Sequence, residues 1–106
     1  MRRKGSRKTA SNVIAEPHRD GLERVPAKRV LAAKLNELID SRQLSQTEVA
    51  QITGMTQPKV SQIRQHKLQN ISLERLMQAL ASLDQQVEIV VRPAQGVHGG
   101  SITVAA

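Results

Sequence analysis

The run "LSQTEVAQITGMTQPKVSQI", residues 44–63, restricts what this chain can fold into more than any other stretch. Ser45-Gln46-Thr47-Glu48 has capping-box spacing: the serine oxygen accepts from the backbone of the third helical residue, and the glutamate reaches back to the cap. A short helix starts there, with Val49, Ala50 and Ile52 expected on its buried side and Gly54 able to take the left-handed conformation that ends it. Thr56 then caps a further helix, and Pro58 is tolerated in its first turn, where N–H groups have no intrahelical partner. Only Gly54, Met55 and Thr56 separate the two apolar runs, so the crossing is tight and the second helix projects outward.

The flanks read as helices that complete a bundle. From about Ala27 to Arg42, Leu31, Leu35, Leu38 and Ile39 recur at three- and four-residue steps, with Lys28, Lys34, Glu37 and Asp40 opposite and Pro26 suited to the helix start. After the loop Asn70-Ile71-Ser72, Ser72 caps a fourth helix with the core stripe Leu73, Leu76, Met77 and Leu80. Beyond Asp84 the period changes to two, with Val87, Ile89 and Val91 on one side and Glu88, Val90 and Arg92 on the other. A lone strand leaves its backbone unpaired. It is expected either to pair with the same strand of a second chain, the favoured option, or to fold back on Ser101 to Val104. The expected organisation is a flexible basic arm over 1–24, a helical domain over 25–84, a dimerisation strand over 85–92 and a flexible tail over 93–106.

Composition sets the scale and excludes several classes. With 106 residues, 39% apolar content and no aromatic residue, the chain can build one small core of Leu, Ile, Val, Ala and Met, but not an enclosed active site with a lid as well. The net charge of +7 favours a polyanionic partner. Five of the sixteen basic residues (Arg2, Arg3, Lys4, Arg7, Lys8) sit in the arm, where they could track phosphates or enter a minor groove, and no acid lies between Val49 and Leu73. The patch Val13-Ile14-Ala15 is expected to pack on the protein itself more readily than on a partner. No cysteine is present, and His18, His66 and His98 lack ligand spacing, so neither a metal site nor a cofactor is expected. Glu48 is explained by its cap, and no nucleophilic triad order or Gly-rich phosphate loop appears, so an enzyme is not expected. No apolar run approaches the roughly 18 residues of a membrane span, which favours a soluble, cytoplasmic protein without a membrane partner.

At about 100° per residue, the helix after Thr56 turns Thr56, Val60 and Ile63 to one side and Pro58, Ser61, Gln62 and Gln65 to the other. A glutamine-rich face alone is most often a solvated surface; between a capping box and a tight turn it acquires a second reading. Gln57 and Gln62 carry the donor–acceptor pair that can bond an adenine edge, Ser61 is short enough to permit close approach, and the Pro58 ring can at most touch a thymine methyl. Lys59, Arg64, Gln65 and Lys67 suit phosphates, and Gln46 sits in a first helical turn whose N–H groups can hold another.

"LSQTEVAQITGMTQPKVSQIRQHK" resembles the helix-turn-helix of the phage Cro and repressor-like (XRE) family, through Gln46, Ala50, Gly54, Val60 and Ile63. The resemblance implies a lambda-repressor-like bundle of four or five helices that binds double-stranded DNA as a homodimer at a near-palindromic operator, with Gln57, Ser61 and Gln62 against bases. Pro58 departs from the pattern, where the family often has a hydrogen-bonding residue. "SNVIAEP" and "ISLERLMQALASLDQQVEIVVRP" look like the HigA-type branch encoded beside RelE- or HigB-type toxins. That likeness spans roughly residues 11–93 and implies an autorepressing antitoxin; Glu16-Pro17 departs from the acid–leucine pair expected there. The alternative is a protein-interaction module whose main role is to neutralise such a toxin.

Overall fold

The computed structural model describes residues 18–96 and 99–106, with side-chain surroundings from Pro26 onward. It contains four helices among the described residues: α1 (His18–Ser41), α2 (Gln46–Thr53), α3 (Gln57–Arg64) and α4 (Leu73–Ser82). The arm cations Arg2, Arg3, Lys4, Arg7 and Lys8, the patch Val13-Ile14-Ala15 and His98 lie outside the described residues.

Hydroxyl caps set three of the helix starts, as the spacing predicts. Glu48 N donates to Ser45 Oγ at 3.1 Å and Ser45 N to Glu48 Oε1 at 2.8 Å, completing the capping box of α2. Thr56 Oγ1 accepts from Lys59 N, and Ser72 Oγ accepts from Arg75 N.

The helix ends share a second device, which the sequence shows only once. Gly54 closes α2 with φ 76° and donates to Ala50 O. The other three helices end through left-handed residues that are not glycine: Gln43, His66 and Asp84, with φ 55°, 58° and 67°. In each, the next residue donates five positions back (Leu44 to Ile39 O, Lys67 to Gln62 O, Gln85 to Leu80 O) and the left-handed residue itself donates three back. This Schellman pairing satisfies carbonyls that a helix end leaves unpaired, which offsets part of the cost of a left-handed side-chain-bearing residue.

The core joins all four helices. Leu31, Ala32, Leu35 and Ile39 of α1 meet Val49 of α2, Val60 and Ile63 of α3, and Leu76, Ala79 and Leu80 of α4. Met55 plugs the α2–α3 turn, and Leu68 and Ile71 seal the loop before α4. Each fully buried Leu, Ile or Val contributes about 1.5–3 kcal/mol of transfer free energy, so the chain offsets its lack of aromatics with many aliphatic side chains.

Three expectations are corrected, and one is not shown. First, Pro26 lies inside α1 rather than at its start, and the helix reaches back into the region expected to be a flexible arm. A proline removes one ladder bond, here to Leu22 O, and the remaining bonds on either side carry the helix through. Second, Ile52 is 44% exposed, whereas Thr53 is buried. Val49 and Thr53 stand four apart on one face, and Ile52 falls on the flank. Third, the strand expected at 85–92 is not shown: among the described residues 85–95 has neither helix nor strand pairing in the single chain. Fourth, the expected loose tail comes back to the domain, with Val104 packed on the core.

Candidate nucleic-acid interface

α3 has two unlike sides. Val60 and Ile63 are each 1% exposed and hold it to the core. Gln57, Pro58 and Gln65 are exposed on the other side, and Lys59, Ser61, Gln62 and Arg64 are half-buried. Gln46, at the start of α2, and Lys67, just beyond α3, are both exposed. The capped starts of α2 and α3 fix where each chain direction changes, and Gly54 fixes the angle between them.

Gly54 is needed for its backbone rather than for room. A Cβ there would meet Arg75 Nη2 at 3.7 Å, an ordinary contact, but φ is 76°. Gly54→Ala is therefore expected to cost about 1–2 kcal/mol of unfolding free energy, measured by urea denaturation. A cost near zero would show that the turn can relax.

Two glutamines of α3 are presented differently. Gln57 lies in the open. The Gln62 amide oxygen is shielded from solvent and accepts no hydrogen bond. Gln65 Nε2 donates to Ser61 Oγ at 3.0 Å, linking neighbours one turn apart on the outward face.

The far end of α3 is held by α1. Asn36, 9% exposed, donates through Nδ2 to Ile63 O at 3.0 Å. Its Oδ1 accepts from Arg64 Nη1 at 2.9 Å, and its backbone oxygen accepts from the same nitrogen. Arg64 Nη2 donates to Asp40 Oδ1 at 2.6 Å, and His66 Nε2 lies 3.4 Å from Asn36 Nδ2. Arg64, expected at a phosphate, thus spends both terminal nitrogens inside the protein.

Other cations are used in the same way. Lys59 Nζ donates to Asn70 O, Lys28 Nζ to Leu68 O, Arg42 Nη2 to Leu83 O and Arg75 Nη2 to Thr53 O. Arg75 therefore ties α4 to the C-terminal end of α2, where unpaired carbonyls favour a cation. Counting charge in the sequence overstates what this surface offers to an anion, because much of it closes helix ends and loops. The roles of Asn36, Thr53 and Arg75 were missed. For Asn36 a signal existed: it stands four residues after Ala32 and three before Ile39, a polar side chain within an apolar stripe. Thr53 donates to Val49 O and accepts from Met55 N, a local pairing with no sequence marker of its own. Among the described residues no cluster of three His, Asp or Glu could hold a metal, and no helix is long and apolar enough to cross a membrane.

This geometry of a capped short helix, a left-handed glycine turn and an outward second helix is that of a helix-turn-helix domain. A family model described as a helix-turn-helix domain matches residues 13–92. A solved structure named "Putative XRE Family Transcriptional Regulator" is similar at a TM-score of 0.73 and 44% identity, covering 81% of this chain and 98% of that one. No curated protein matches. The chain belongs to the XRE-type helix-turn-helix family.

Proposed function

We propose that the protein is a sequence-specific DNA-binding repressor that places α3 in the major groove. The observation that carries this reading is the two-sided α3: its apolar side is fixed to the core, while amide and small polar groups face outward in a stretch without a single acid. Gln57 bonds an adenine edge, Ser61 allows close approach, and Pro58 contributes apolar contact only. The Gln62 amide oxygen has no partner within the protein, so turning it toward a base donor forfeits no existing bond. Gln65 and Lys67 contact phosphates, as does the start of α2 at Gln46; Arg64 supports α3 from behind, and Lys59, whose ammonium bonds Asn70 O, reaches a phosphate only by leaving that carbonyl. Two copies engage successive major grooves about 34 Å apart on a near-palindromic operator.

Lys67→Ala tests the phosphate role: affinity should fall alike on all duplexes and the salt slope should drop by about one. A loss confined to one sequence would move Lys67 to the bases. The toxin-neutralising alternative predicts that Gln57→Ala leaves the protein's cellular effect intact.

A further inference from the structure

Residues 87–92 expose an apolar row that the single chain does not cover. Ile89, Val90 and Val91 are 71%, 59% and 90% exposed. The left-handed Asp84 ends α4 and turns the chain away, and the last backbone hydrogen bond before this segment is Gln85 N to Leu80 O. The helix-turn-helix family match runs to Arg92, so the segment belongs to the family pattern rather than to an appended tail.

We infer that this segment pairs antiparallel with its own copy in a single register, the two-fold axis passing at Val90, so that Glu88 of each chain faces Arg92 of the other. The inference deepens the dimer reading above and rests on it. A two-fold axis leaves few registers. On Glu88 or on Arg92 it would set like charges directly opposite, which is destabilising. On Ile89 it would face Glu88 with Val90 and Arg92 with Gln86; on Val91 it would spend Ile89 against Pro93. On Val90 both ion pairs form, and Ile89 of each copy faces Val91 of the other. One face of the ribbon is then wholly apolar, with the ion pairs flanking Val90 on the other. Pro93, which has no N–H to give, falls opposite Val87, where the ladder ends. The same charges that select this register also blunt the edge against other strands.

The test is charge reversal in the full chain, read by sedimentation. Glu88→Arg and Arg92→Glu should each weaken the dimer roughly tenfold or more, and the double variant should restore it to within about threefold. The chain has no cysteine, so crosslinking offers a second readout. Directly opposed side chains lie about 4.5–5.5 Å apart and diagonal ones about 7–8 Å. Val90→Cys should therefore oxidise to a covalent dimer and Ile89→Cys should not. A dimer indifferent to charge reversal, crosslinked as readily through position 89, overturns the register while leaving the dimer standing. A chain monomeric at every concentration overturns the dimer reading itself, and operator binding by such a monomer would separate that failure from the DNA proposal.

Discussion

Asn36→Ala is expected to lower the unfolding free energy by about 2–3 kcal/mol, a large part of the roughly 5–15 kcal/mol that a small domain has. The side chain is buried and makes bonds with two residues of α3: it donates to Ile63 O and accepts from Arg64 Nη1. Truncation removes one of the two bonds that Ile63 O accepts, the other coming from His66 N, together with a charge-assisted bond from Arg64, and water cannot fully replace either in a buried site. Asp40, whose side chain is 68% exposed, sets the comparison: its bond to Arg64 is short, but Asp40→Ala should cost less than about 1 kcal/mol because solvent already screens the pair. Urea denaturation of both variants separates these contributions. Equal losses would mean that Asn36 is not what anchors α3.

Gln57→Ala should remove about 1–3 kcal/mol of discrimination at one operator base pair while leaving stability and the salt slope unchanged. The side chain is exposed, at the start of the α3 face, with no protein partner to lose. Gln62→Ala should relax a different base pair, again without loss of stability, since its amide oxygen has no hydrogen bond to forfeit. Competition binding against operators substituted one pair at a time reads both effects. If Gln57→Ala leaves every base preference intact, the face assigned to DNA is the wrong one.

What could be read in the sequence was local. Ser45, Thr56 and Ser72 cap helices because a hydroxyl, a following first turn and an apolar period are all visible within a few residues. Val60, Ile63, Leu76 and Leu80 lie in the core for the same reason. What escaped depended on partners distant in sequence or on rules with exceptions. Pro26 marks a helix start only if nothing helical precedes it, and α1 begins at His18. Gln43, His66 and Asp84 end helices in a conformation usually signalled by glycine. Arg64 is a phosphate contact by composition, but only the fold brings it beside Asn36 and Asp40, 28 and 24 residues away. The strand period at 87–92 was visible, but no strand pairs with it among the described residues.

The most direct test of α3 as a DNA-reading helix is the binding of the purified protein to its own upstream DNA and to random duplex, titrated in salt. A sequence-specific repressor predicts a preference of roughly a thousandfold or more that survives about 150 mM salt. Equal binding to both duplexes, lost together as salt rises, would contradict it.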